Sequence, residues 1–104
     1  MLRVRILEEA AEEAIEAAAW YERERPGLGV EFDQAVNAAL DLLEDEVVPL
    51  VAMPGNTSAK GAKRLMLSRF PYDVVVRRLP GEIVVVAVAH QSRRPGYWRR
   101  RQRT

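Results

Sequence analysis

The sequence contains no cysteine and only one histidine among its 104 residues. Without thiols the chain can form no disulfide, no thiolate nucleophile and no zinc–thiolate centre, and this composition suits a reducing cytoplasm. A single imidazole also argues against a histidine-built metal centre. We therefore expect a protein that uses neither a metal ion nor a cofactor.

Long apolar runs are missing as well. The longest valine-rich stretch, Ile83 to Ala89, has seven residues, whereas a bilayer-spanning helix needs roughly 18 to 20. The amino terminus becomes acidic by Glu8, which is unlike a secretory signal peptide. We expect a cytoplasmic protein with no membrane attachment, and its length predicts one domain over residues 1–104.

The charges are divided along the chain. Residues 1–48 carry four basic and thirteen acidic side chains, a net of −9, whereas residues 49–104 carry twelve basic and two acidic side chains, a net of +10. A chain polarised in this way is expected to present a basic surface apart from an acidic one, unless the fold brings the two halves together. Both arrangements are compatible with the sequence alone.

The hydrophobic pattern predicts an α+β fold in the order β-α-α-β-β-β, with a two-helix hairpin on one face of a twisted, mostly antiparallel sheet. Pro26-Gly27 separates the helices, and Trp20 and Tyr21 are expected in the core. The predicted segments are a strand at 2–6, helices at 8–25 and 28–47, a loop at 49–61, strands at 64–68, 72–79 and 83–90, and a flexible basic arm at about 92–104.

The last predicted strand is apolar on both faces, which is typical of an interior strand. Simple alternation places one set of side chains on one face and a second set on the other. The first set is Ile83, Val85, Ala87 and Ala89, and the second is Val84, Val86 and Val88. Trp98 lies beyond every predicted element, so we expect its ring to cover a surface.

Common catalytic motifs are absent from the sequence, including the glycine-rich phosphate loop, H-E-x-x-H and G-x-S-x-G. The basic half nevertheless contains groups that could cleave RNA without a metal ion. Lysine or tyrosine could take the proton of a 2′-hydroxyl, and arginine could stabilise the phosphorane. Alternatively, these cations pair with the acidic helices or keep the chain soluble, and His90 has a structural role.

Three segments in order resemble the carboxy-terminal half of RelE/ParE-family toxins, the toxin partners of bacterial type II toxin–antitoxin modules. They are LSRFPYDVV (67–75), IVVVAVAH (83–90) and RRPGYW (93–98). The stretch WYERERPGLGVEF (20–32) is similar to the helical hairpin of the family. The resemblance spans nearly the whole chain and agrees with the predicted order of elements.

The resemblance implies two activities, one for each branch of the family. RelE-branch toxins are ribosome-dependent mRNA endonucleases, and the matching catalytic set here is Lys60, Lys63, Arg64, Arg93 and Tyr97. The match is incomplete, because Met66 stands where that branch has a second lysine and Asp73 stands where it has arginine. A carboxylate facing phosphate would repel it by about 1 kcal/mol or more.

ParE-branch toxins poison DNA gyrase and have no RelE-type catalytic site, and the Phe-Pro-Tyr turn and the RRPGYW ending resemble this branch more closely. This resemblance implies a cognate antitoxin as partner, possible toxin–antitoxin hetero-oligomers, and DNA gyrase as target. The target-binding residues it implies are Arg69, Arg77, Arg78, His90, Arg93, Arg94, Tyr97 and Trp98. A degenerate relative that only forms a regulatory complex with its antitoxin is a third alternative.

Overall fold

The structure, a computed structural model, describes residues 2–45, 62–94 and 96–101, together with the backbone of residues 51–52. Within these ranges two helices and five strands form an α+β fold, as predicted. The elements are β1 (Arg3–Ile6), α1 (Glu8–Glu24), α2 (Leu28–Glu44), β2 (Val51–Ala52), β3 (Ala62–Met66), β4 (Tyr72–Leu79) and β5 (Glu82–His90).

The two helices form the predicted hairpin. Alanine and glutamate dominate α1 and favour a helix, and its first turn holds the acidic side chains that a helix amino terminus attracts. Gly27 has φ +90° at the connection, a conformation that glycine adopts without strain. The Glu22 carboxylate accepts the N–H groups of Gly27 and Gly29 at 2.9 and 3.0 Å. It thereby supplies acceptors that the first turn of α2 lacks.

The sheet has the strand order β1-β5-β4-β3-β2. β1 pairs with β5 in parallel, and the other three pairs are antiparallel. The prediction that β5 lies inside the sheet is confirmed. The predicted loop at 49–61 is corrected at its start, because Val51–Ala52 pairs with β3. Two residues are too few to show a strand periodicity, and residues 46–50 and 53–61 lie outside the described residues.

A bulge in β5 corrects the predicted assignment of its two faces. The register changes from Val76 opposite Val85 to Val75 opposite Ala87, which leaves Val86 as the extra residue. Val86 and Ala87 therefore both point away from the helices, while Val88 returns to the helix side. One inserted residue reverses every following side chain, so simple alternation is wrong from residue 87 onward.

An aromatic cluster lies at the centre of the helix-side core. The Phe32 ring lies 5.3 Å from Tyr21, 5.1 Å from Phe70 and 5.1 Å from Tyr72, centroid to centroid. Phe32 is fully buried, and Tyr21 packs against this core as predicted. The prediction for Trp20 is wrong, because its ring is half exposed near the carboxy-terminal end of α1.

The opposite face of the sheet is covered by the carboxy-terminal segment, of which the structure describes residues 91–94 and 96–101. Trp98 is only 3% exposed and packs with Val84, Val86 and Ala87, and Tyr97 packs against the same cluster. The helices cover one sheet face only, so the valines of the other face need a second cover to leave water. Residues 96–101 thus form turns against the domain, where the sequence predicted a flexible arm; residues 95 and 102–104 lie outside the described part.

Candidate functional site

Glu13 of α1 joins the helix, the sheet and the carboxy-terminal segment. Its carboxylate accepts hydrogen bonds from the Tyr97 hydroxyl at 2.5 Å and from both terminal nitrogens of Arg101 at 2.7 and 2.9 Å. It also accepts the backbone N–H of Val88 at 3.0 Å. Arg93 forms a longer ion pair with it at 3.5 Å. One carboxylate therefore fixes three parts of the chain to each other.

The same groups complete the edge of β5 beyond the end of β1. The pairing with β1 reaches Val85, and the Val86 bulge follows immediately. Arg101 donates to the Val86 carbonyl at 3.2 Å, while Glu13 accepts from Val88. These side chains satisfy backbone groups that a neighbouring strand would otherwise pair, and unpaired backbone groups are costly to bury.

The Tyr97 ring lies between two guanidinium groups. The guanidinium carbon of Arg93 is 3.7 Å from the ring centroid, and that of Arg101 is 5.0 Å from it, both within the range of a cation–π contact. Burial of the hydroxyl raises the pKa of Tyr97 far above its usual range, and the hydrogen bond to Glu13 raises it further. Tyr97 therefore keeps its proton near neutral pH and acts as a donor to Glu13 rather than as a base.

Arg64 and Asp73 form a second polar group on the same face of the sheet. Arg64 donates to Asp73 at 3.3 Å, and Gln91 donates to the other carboxylate oxygen at 3.1 Å. Asp73 is 5% exposed, and a buried carboxylate needs such partners. Together with Trp98 these residues line a cavity of about 30 Å³, which has room for a water molecule or two but not for a nucleotide.

The structure brings three of the five endonuclease-type residues together, because Arg64, Arg93 and Tyr97 line the same small cavity, but each of them is held by a carboxylate. Arg93 and Tyr97 meet at Glu13, whereas Arg64 is held by Asp73. Lys63 is exposed on β3. Lys60 lies outside the described residues.

The remaining predicted contacts are spread over the surface. Arg69 pairs with Glu31 of α2 at 2.5 Å and lies over the Phe70 ring, and Arg69 lowers the pKa of Glu31 through their hydrogen bond. Arg77 is partly buried on β4, while Arg78 and Arg94 are exposed. Of the two charge arrangements that the sequence allowed, the structure shows the two halves in contact at these positions, because Arg69 and Arg93 both pair with helix carboxylates.

His90, at the end of β5, contacts Ser92 and Tyr72. Its Nδ1 accepts the backbone N–H of Ser92 at 3.0 Å, and the Ser92 hydroxyl lies 2.8 Å from the same nitrogen. The His90 ring also contacts the Tyr72 ring edge to face, at 5.1 Å. These contacts agree with a structural histidine, which was one of the two alternatives that the sequence allowed.

Two residues lie in surroundings that the sequence did not indicate. Trp98 is buried, so its ring is not available as a target contact in this structure. Glu13 was not among the candidate residues of the sequence analysis. Glu13 stands three residues after Ala10 and four before Ala17, and because the structure buries both alanines, Glu13 lies on the inner face of the helix. The spacing alone could not show this, since it does not say which alanines are buried.

The three tyrosines provide a test of these environments by titration. Burial raises the pKa of Tyr21, Tyr72 and Tyr97 in the fold, whereas unfolded tyrosine titrates near about pH 10. The folded chain should therefore show no tyrosinate midpoint at or below pH 10, and the urea-unfolded chain should titrate there. Above about pH 10 the unfolded state releases protons that the folded state keeps, so stability falls as pH rises. A native midpoint near 9 to 10 for all three would contradict the described burial.

Within the described ranges, no group of three His, Asp or Glu side chains is arranged to hold a metal ion. No helix there is both long and apolar enough to cross a membrane.

Comparison with known proteins identifies the fold. No family model matches the sequence, and no curated protein matches it. A solved structure described as "Chromosomal ParDE TA system from P. aeruginosa" (TA, toxin–antitoxin) contains a chain that superposes on this one with a TM-score of 0.72. The match covers 86% of this chain and 96% of that chain. The chain has a ParE-like fold. The fold that the sequence resemblance implied is confirmed, and this ParE-like fold is formed here at 18% sequence identity.

Proposed function

We propose that this chain is the toxin of a type II toxin–antitoxin module, that it acts in the cytoplasm by inhibiting DNA gyrase, and that a cognate antitoxin neutralises it. The observation that carries the proposal is the ParE-like fold, which is shared over 96% of a chain from a ParDE toxin–antitoxin system. The resemblance of the 67–75 and 93–98 segments to the same branch supports it independently.

The geometry of the endonuclease-type residues Tyr97 and Arg64 favours a binding protein over a nuclease. The Tyr97 hydroxyl donates its proton in a hydrogen bond to Glu13, and Arg64 forms an ion pair with the buried carboxylate of Asp73. A general base needs a pKa near the working pH and access to the substrate. Tyr97 does not meet the first condition, because its pKa is raised, and the positive charge of Arg64 is already paired with Asp73. The RelE-type mRNA endonuclease is therefore the weaker alternative.

An antitoxin partner is supported by apolar surface between α2 and β3. Leu42 and Met66 are 43% and 48% exposed and line a groove of about 360 Å³ that also contains Leu65 and Arg69. Apolar side chains of a partner segment would cover these residues, and a carboxylate of that segment could pair with Arg69 in place of Glu31. We assign this groove to the antitoxin.

A supercoiling assay with purified proteins tests the target. Gyrase, relaxed plasmid and ATP are mixed with increasing amounts of the chain, and the heat-unfolded chain serves as control. We expect supercoiling to stop and cleaved DNA to accumulate. Full gyrase activity at saturating chain would remove the gyrase proposal. A small acidic protein encoded next to this chain, when added in equal amount, should restore supercoiling.

A further inference from the structure

We propose that Glu13 is a positioning residue for target binding: it holds the carboxy-terminal segment (residues 91–94 and 96–101) in the arrangement that presents the exposed arginines of that segment to the target. This inference rests on the proposed function for its target but on the structure for the role of Glu13. It assigns a binding role to a residue of the acidic half of the chain.

The contacts at Glu13 make it the anchor of the segment. The carboxylate is 14% exposed and accepts from the Tyr97 hydroxyl and from two nitrogens of Arg101, so it holds the segment at two points four residues apart. Charge-assisted bonds of this kind are about twice as strong as neutral ones. Because Trp98 lies between the two points, the same carboxylate helps to hold its ring against Val84, Val86 and Ala87.

The arginines of the segment divide into two groups by their partners. Arg93 and Arg101 pair with Glu13. Arg94, Arg99 and Arg100 are exposed, and within the described part of the chain none of the three has a carboxylate partner. The first group therefore holds the segment, and the second group carries uncompensated positive charge at its surface. Guanidinium groups in this situation bind carboxylate or phosphate groups of a partner.

The other glutamates of α1 offer matched controls. Glu12 stands one residue before Glu13 and is exposed, and among the residues that the structure describes its carboxylate forms no hydrogen bond or ion pair with the carboxy-terminal segment. Replacing Glu12 with glutamine removes the same charge from the same helix turn. A difference between Glu12→Gln and Glu13→Gln therefore reports on the position of Glu13 and not on net charge.

Trp98 fluorescence reads the position of the segment directly. In a Trp20→Phe background Trp98 is the only indole, and we expect blue-shifted emission that acrylamide quenches poorly. Glu13→Gln in this background should shift the emission to the red and raise the quenching constant toward that of the urea-unfolded chain, with the far-ultraviolet circular dichroism unchanged. Glu12→Gln should leave both fluorescence readouts as in the background. Unchanged fluorescence in a folded Glu13→Gln chain would overturn the proposal.

The inhibition assay then separates a positioning role from general stability. At a temperature where each variant is folded, Glu13→Gln should need about tenfold more chain for half-inhibition of gyrase, the factor that one lost charged contact gives. Arg101→Gln should show a similar loss, and the double variant should lose no more than Glu13→Gln alone, because either change releases the segment. Inhibition by folded Glu13→Gln equal to that of the parent would overturn the proposal. If the parent itself does not inhibit gyrase, the proposed target fails, and fluorescence alone decides the role of Glu13.

Discussion

Replacing Trp98 with alanine is expected to lower the free energy of unfolding by about 3–5 kcal/mol, the usual cost of truncating a buried aromatic side chain. The ring is 3% exposed and covers Val84, Val86 and Ala87 on the sheet face opposite the helices. Its loss exposes these residues to water and leaves Tyr97 as the remaining aromatic cover. Urea unfolding followed by circular dichroism measures the change.

The matched control for this prediction is Trp20→Ala, which removes the same side chain from a half-exposed position. Surface substitutions usually change stability by about 0.5 kcal/mol or less, and the contact of Trp20 with Tyr21 sets a somewhat larger limit of about 1 kcal/mol. A larger loss for Trp20 than for Trp98 would mean that the carboxy-terminal segment does not pack against the sheet.

The second large effect is expected at Phe32. Phe32→Ala should destabilise the fold by about 3–5 kcal/mol, a large share of the roughly 5–15 kcal/mol that stabilises an ordinary domain. The ring is fully buried and contacts the rings of Tyr21, Phe70 and Tyr72. It therefore joins α1, α2 and the strands at one point. Thermal and urea unfolding of the same samples should both show the loss.

Val30→Ala is the control for Phe32, because Val30 lies two residues earlier on α2 and is 57% exposed. We expect its effect to stay within about 0.5 kcal/mol. Phe32→Leu should cost less than Phe32→Ala, since leucine refills part of the cavity. Equal losses for leucine and alanine would indicate that ring contacts, rather than filled volume, stabilise this core.

Local patterns in the sequence predict much of the fold. The helical periodicity and the Pro26-Gly27 break predict the hairpin, because both act within a few residues. The apolar character of both faces of β5 predicts an interior strand, because such a strand must be covered on each side. These predictions are confirmed in the structure.

Features that depend on distant residues could not be predicted in the same way. The bulge at Val86 cannot be recognised in a run of valines, yet it changes which face of the sheet each following side chain points to. The burial of Trp98 follows from an uncovered sheet face and from anchoring by Glu13, 84 residues away from Tyr97. Charge counts left open whether the basic and acidic surfaces are separate, because they do not show which carboxylate an arginine meets.

In the candidate site, too, the sequence predicted the residue types but not their contacts with distant residues. The sequence predicted a weakened endonuclease set, because Asp73 replaces an expected cation. The structure adds the physical reason, since Asp73 is buried and takes Arg64 as its partner. The residue types therefore showed that a carboxylate stands where a cation is expected. The strand register was needed to show that Arg64 lies close enough to pair with it.

Expression of the chain without its antitoxin, followed by mapping of the damage, tests the central claim most directly. A gyrase-inhibiting toxin should stop growth with double-strand breaks in DNA and with intact mRNA. Defined mRNA ends within ribosome-bound codons, with unbroken DNA, would contradict the proposed target and support the endonuclease. Normal growth at full expression of the folded chain would contradict toxicity itself.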